Sequence, residues 1–172
     1  MKLLAALVVA SVICIHACAA QDRSRFSFPG QGSKEDWNRA AIMTDQAGHL
    51  YQQHRYDEAI KLMESAIRLY PYQADMYANL ALAYENGKRD FPKARLLMSK
   101  AILMEPRNFD LRIGLVGLEC DQGNLTSAKQ AFAKASKLAR SADDRDRLRK
   151  AATEIAELEK KNANIPNDKP GK

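Results

Sequence analysis

The chain has 172 residues, 46% hydrophobic and 28% charged, with 27 lysines and arginines against 21 acids. That balance excludes a disordered chain and a multi-span membrane protein. Eight glycines and six prolines are too few for a collagen-like or low-complexity sequence, and three cysteines cannot build a disulfide framework.

Lys2 precedes an apolar run of 13 residues, 3–15 (LLAALVVASVICI), followed by small residues. Residues 1–20 read as a signal peptide, since the run is shorter than the roughly 20 apolar residues a spanning helix needs. Two exits fit. Cleavage after Ala20, with Cys18 and Ala20 at the small-residue positions, would release a periplasmic or secreted protein starting at Gln21. Ile15-His16-Ala17-Cys18 resembles a bacterial lipobox, from which His16 departs, and would leave an envelope or outer-membrane lipoprotein tethered through a lipidated Cys18. Cys14, His16 and Cys18 lie in this segment, so no metal site is expected from them. Residues 21–32, with Pro29, Gly30 and Gly32, read as a flexible linker; about fifteen such residues between Cys18 and Ser33 reach roughly 20 Å.

From position 40 onwards the sequence repeats itself. Ala59, Ala94 and Ala128 are separated by 35 and 34 residues, and Met63, Met98 and Phe132, like Ala66, Ala101 and Ala135, keep those spacings. Pro71, Pro106 and Arg140 follow them. Upstream, Ala47, Ala81 and Val116, and likewise Leu50, Tyr84 and Glu119, repeat at 34 and 35, which places one extra residue between Tyr84 and Ala94. Within each repeat the apolar residues recur three and four apart, a helical stripe. Gly87 and Gly123 punctuate the turns, where a left-handed or cap conformation needs no Cβ, and Pro71 and Pro106 end the second helices. Each repeat therefore predicts two helices, with small alanines where they approach closely.

This pattern resembles the tetratricopeptide repeat (TPR) family across residues 40–140. The resemblance implies an all-α fold, a TPR-type α-α superhelix of three helical hairpins plus a C-terminal capping helix, spanning residues 33–160. The repeats are expected at about 40–73, 74–108 and 109–141. Gln46, His54, Arg112, Glu119 and Arg140 depart from the family's residue types. Ser33 with Asp36, and Ser141 with Asp144, resemble helix-start boxes. The second begins the capping helix, 142–160, with Leu148, Ala151, Ala152, Ile155 and Leu158 on one stripe. Residues 161–172 (KNANIPNDKPGK) are expected to be a disordered tail.

The residues offer little for catalysis, so no enzyme activity, metal or cofactor is expected. His49 and His54, five apart on a helix, would point about 140° away from each other. No phosphate-cradling loop or nucleophile elbow is present. Asp57, Glu58, Asp143 and Asp144 sit at helix starts, where negative charge is stabilising. Cys120 reads as a small buried hydrophobe, with a reactive thiol as the alternative.

The family's geometry instead implies a protein or peptide partner held in a concave groove lined by the first helices. The expected lining is Thr44, Gly48, Tyr51 and Gln52, then Asp75, Ala78, Asn79, Leu82 and Glu85, then Asp110, Ile113, Gly117, Cys120 and Asp121. It contains four acids and no lysine or arginine, which favours a neutral or basic segment held by Tyr51, Leu82 and Ile113 with the acids at the rim. The branch of the family that clamps acidic chaperone tails uses basic residues and asparagines. Only Asn79 matches, while Thr44, Gly48, Asp110 and Gly114 stand at the other clamp positions. Self-assembly into a homo-oligomer is the alternative. Nucleic acid is not expected, because the basic residues alternate with acids and lack aromatic neighbours. The reading is thus an exported, non-catalytic interaction scaffold.

Overall fold

The computed structural model describes residues 30–163. Among the described residues it contains seven α-helices and no strand, as the helical periodicity predicts. The signal segment, Cys18, the linker up to residue 29 and the tail from residue 164 lie outside the described residues. The chain divides into two compact units, Met1–Asp90 and Phe91–Lys172. The division falls between the two helices of the second expected repeat.

In the first unit, α1 (Lys34–Gln52) starts at Ser33, whose backbone is extended and whose hydroxyl accepts from the Asp36 amide at 3.2 Å. An N-cap of this kind satisfies one of the amides a helix start leaves open. Ala40 and Ala47 are buried where α1 meets α2 (Tyr56–Leu69), which contributes Ala59, Ile60, Met63 and Ala66. Their lack of bulk permits the close approach that ridge-into-groove packing needs. Ala40, Ala66, Tyr70 and Met76 form a core cluster on which Trp37, Met43, Ile67 and Leu69 pack. Tyr70 donates from its hydroxyl to the Gln31 carbonyl at 2.7 Å, fixing the entry into α1. The third helix, α3 (Ala74–Ala83), buries seven of its ten residues, as an element packed on more than one side must.

The second unit holds α4 (Phe91–Met104), α5 (Phe109–Asp121), α6 (Leu125–Ser136) and α7 (Ala142–Ala163). Its core joins Val116, Ala128 and Ala131 to Ala151 and Ile155 of α7, so the capping helix is docked. Ser141 and Asp144 form the expected box reciprocally: the Asp144 amide donates to Ser141 Oγ at 2.9 Å and the Ser141 amide to Asp144 Oδ2 at 3.0 Å. The backbone amides of Arg140 and Ser141 hold the Asp144 carboxyl below its usual pKa. Ala151, Ile155 and Leu158 of the expected stripe are buried, but Ala152 is exposed, and the helix continues three residues past 160.

Three helix ends close alike. His54 (φ 59°), Arg89 (φ 53°) and Gly123 (φ 82°) are left-handed, 35 and 34 residues apart. After each, an amide returns to the helix: Arg55 to the Leu50 carbonyl (2.9 Å), Asp90 to Tyr84 (3.2 Å) and Asn124 to Glu119 (2.8 Å). Leu50, Tyr84 and Glu119 are the residues the sequence aligns. The closing bond spans five residues in the first and third turns and six in the second. The extra residue is absorbed by a π-helical turn, Tyr84–Lys88, which is what a single insertion into a helix produces. This corrects one expectation, since Arg89 and not Gly87 takes the left-handed position of the second turn. Gly87 is required for another reason: a Cβ there would lie 2.3 Å from Tyr56 Cβ.

Candidate functional site

In the first unit, α1 and α3 bring Gly48, Tyr51, Asn79 and Leu82 around a shallow depression, open to solvent, with Met63 of α2 as the fifth lining residue. Four of the expected groove residues are therefore gathered in one place. Gly48 is a mid-helix glycine whose missing Cβ would meet nothing within 4 Å, so its place is open space beside the depression. Tyr51 is set on both sides. Its ring meets Tyr56 edge-on at 5.2 Å, and its hydroxyl accepts from Asn86 Nδ2 at 2.8 Å. Asn86 also donates to the Leu82 carbonyl at 3.0 Å, so the π turn ties the end of α3 to the tyrosine. Burial, together with the nearby Tyr56 and Glu85, raises the Tyr51 phenol above its ordinary pKa, and it remains a neutral hydrogen-bonding group.

The remaining expected residues of this unit divide. Asp75 and Gln52 are exposed, and Thr44 is half-buried with its hydroxyl donating to the Ala40 carbonyl at 2.8 Å. Glu85, expected as an exposed rim acid, is only 5% exposed. The expectation carried the 3.6-residue period through position 85, whereas the π turn changes that period at Tyr84 and sets Glu85 beside Tyr51.

The second unit departs further. Asp110 was expected to meet a partner without any basic neighbour, but it is ion-paired with Arg147 of α7, whose guanidinium also lies 5.2 Å from the Phe109 ring centre. Ile113 and Cys120, expected to face a groove, pack on the cluster that includes Ala151 and Ile155. The capping helix therefore covers this part of the expected lining. Gly117 has open space at its Cβ position, and Asp121 is exposed. Burial, with Glu154, Asp121 and Glu119 nearby, pushes the Cys120 thiol up to about 12, so it stays protonated at neutral pH and behaves as a small hydrophobe. Burial and the adjacent Asp121 and Glu157 likewise raise Glu154.

Two polar contacts escaped the sequence reading. Glu119, a carboxylate at an apolar repeat position, is 1% exposed and pairs with Arg95 Nε of α4 at 2.8 Å. Tyr84, at the same repeat position, donates to Glu64 Oε1 of α2 at 2.7 Å. Each reaches the second helix of the preceding repeat. A charge at a position otherwise held by Leu50 was the available signal, because a buried carboxylate needs a partner. Among the described residues no group of three His, Cys, Asp or Glu side chains could hold a metal, and no helix is long and apolar enough to cross a membrane.

Residues 44–103 match the tetratricopeptide repeat family. No curated protein sequence matches the chain. Solved structures do. The TPR domain of Arabidopsis OM64 is similar over 71% of this chain and 98% of its own, with 18% identity and a TM-score of 0.62. The Yersinia enterocolitica type III secretion chaperone SycD, in complex with a peptide of the translocator YopD, matches over 73% of this chain and 95% of its own, with 15% identity and a TM-score of 0.65. The second TPR domain of human RPAP3, in complex with an HSP70 peptide, matches over 72% and 98%, with 22% identity and a TM-score of 0.60. The fold is therefore all-α, of the TPR α-α type.

Proposed function

We propose that this TPR-type fold serves as a non-catalytic scaffold that seats a neutral or basic segment of a protein partner on the depression of the first unit, acting after export in the cell envelope or outside the cell. The observation that carries the reading is the convergence of Gly48, Tyr51, Asn79 and Leu82 on one open, mostly apolar depression with a fixed tyrosine. Similar folds hold peptides of the translocator YopD and of HSP70. The charge requirement is this chain's own. Residues 30–90 carry nine acids against seven lysines and arginines, and Asp75 is exposed on α3. Each contact between like charges near a wet surface would cost about 1 kcal/mol, and the basic clamp for acidic chaperone tails is missing apart from Asn79. Export rests on the signal-like residues 1–20, and mass spectrometry of the mature amino terminus distinguishes release at Gln21 from a tether through lipidated Cys18.

Gly48→Leu tests the site. Its Cβ has room, and exchanging a mid-helix glycine for leucine should stabilise α1 by about 0.5–1 kcal/mol. The longer side chain would fill the depression. Partners recovered by cross-linking from intact cells should bind the variant at least about tenfold more weakly, a loss of about 1.4 kcal/mol, while its melting temperature holds or rises. Unchanged binding would remove the depression from the interface. Concentration-dependent dimers of the purified chain, abolished by the same substitution, would indicate self-assembly through this face.

A further inference from the structure

The π turn holds a reactive pair that the partner-seating reading does not use. Of the chain's eight asparagines, Asn86 alone is followed by a glycine, Gly87. A glycine nitrogen is shielded by no side chain of its own, so it can approach the carbonyl carbon of the preceding asparagine side chain closely. The fold keeps the two apart. Asn86 Nδ2 donates to the Tyr51 hydroxyl of α1 at 2.8 Å and to the Leu82 carbonyl at 3.0 Å. Leu82 lies one turn back towards the start of α3, so both bonds draw the amide away from the Gly87 nitrogen that follows it in the chain. The closure depends on a single π-helical turn, Tyr84–Lys88, capped by the left-handed Arg89 (φ 53°). Both are sparsely populated conformations, and such a segment opens more easily than the α-helices it joins.

We infer that Asn86 is a self-modification site gated by this turn, and that its conversion to a carboxylate unfastens Tyr51. When the turn opens, the Gly87 nitrogen attacks Asn86 Cγ. The new C–N bond closes a succinimide, the Cγ–Nδ2 bond breaks, and Nδ2 leaves as ammonia with the Gly87 proton. Water, the sole co-reactant, then opens the ring at either carbonyl and leaves aspartate or isoaspartate. Neither product fits the closed turn. An aspartate carboxylate has no donor to offer the Leu82 carbonyl, which lies 3.0 Å from the present amide, and it adds a charge next to Glu85, itself only 5% exposed. Isoaspartate lengthens the backbone by a methylene beside Gly87, where α2 leaves no room, since a Cβ on that glycine would already lie 2.3 Å from Tyr56 Cβ. Tyr51 and Leu82 both line the depression, so a seated partner should brace the turn and slow the reaction; this consequence alone rests on the partner-seating reading.

The test follows the full chain in mildly alkaline buffer by peptide mass spectrometry, with the aspartate and isoaspartate peptides separated from the parent peptide. In the folded protein the peptide carrying residue 86 should convert at least about tenfold more slowly than in urea, because only the opened fraction reacts. Tyr51→Phe keeps the ring and removes one of the two acceptors of Nδ2, so Asn86 should convert about fivefold faster than in the parent, the factor one ordinary hydrogen bond contributes to closure. Asn86→Asp, made directly, should melt below the parent, and so should the converted protein. Partners recovered by cross-linking should slow the conversion when bound. The inference fails if Asn86 of the folded chain stays an amide while the urea-unfolded chain converts, or if both convert at one rate. It also fails if Tyr51→Phe converts no faster than the parent, or if Asn86→Asp melts with it. Conversion that bound partners leave unchanged, with the other results as expected, upholds the modification and removes the depression from the interface.

Discussion

Replacing Arg95 by alanine should lower the stability of the protein by about 3 kcal/mol, because it strands a buried carboxylate. Glu119 is 1% exposed, and its charge is met by Arg95 Nε at 2.8 Å and by Asn124 Nδ2 at 3.1 Å. The asparagine is a neutral donor already bonded to Gln122 at 2.7 Å, so it cannot replace the cation. The guanidinium itself is half-exposed, and its removal leaves no large cavity. Nearly all of the effect therefore comes from the unpaired acid. In a melt followed by circular dichroism, Arg95→Ala should fall by roughly 10 °C. Adding Glu119→Leu should bring it back to within about 1 kcal/mol of the parent, since a leucine of similar volume removes the polar group altogether. Leu50 shows that the repeat accepts leucine at this position. If Arg95→Ala melts with the parent, or if Glu119→Leu fails to rescue it, the pair is not what stabilises α5 against α4.

Glu119 also shows where a reading of the sequence stops. The register of three repeats was legible because it depends on local rules: small residues at fixed spacing and helix-start boxes at Ser33 and Ser141. One extra residue between Tyr84 and Ala94 was legible too, as arithmetic. Its form was not, since spacing alone cannot say whether an insertion bulges a helix or lengthens a loop. The π turn therefore moved the left-handed position to Arg89 and carried Glu85 out of solvent. Arg147 was invisible for a different reason. It meets Asp110 across 37 positions, from a helix outside the repeat period, so no periodic argument could pair them. The same helix covers Ile113 and Cys120. The expected lining residues that do come together, Gly48 and Tyr51 of α1 with Asn79 and Leu82 of α3, lie on neighbouring first helices of the repeat, where the period alone sets which faces meet.

Gly87→Ala should destabilise the protein by about 2–3 kcal/mol, the range expected when a methyl group is forced into filled space. The added Cβ would lie 2.3 Å from Tyr56 Cβ and 2.9 Å from its Cγ. No rotation of the tyrosine relieves the first contact, because Cβ is fixed by the backbone of α2. That backbone is held in turn: Tyr56 stacks edge-on with Tyr51, its hydroxyl lies 2.8 Å from His54 Nδ1, and the neighbouring Asp57 pairs with Lys88 of the π turn. The π turn must therefore move away from α2. Gly48→Ala provides the contrast, for it adds the same methyl group to a helix where nothing lies within 4 Å, and it should stabilise by about 0.5–1 kcal/mol. Opposite signs from two glycine-to-alanine changes cannot be explained by helix propensity, which favours alanine at both. Tyr56→Ala should not rescue Gly87→Ala, since it keeps the clashing atom, whereas Tyr56→Gly should recover part of the loss. Because Asn86 in this turn holds the Tyr51 hydroxyl, the displacement should also weaken partner binding at the depression; a Gly87→Ala protein that melts and binds like the parent would show that the turn does not bear on α2.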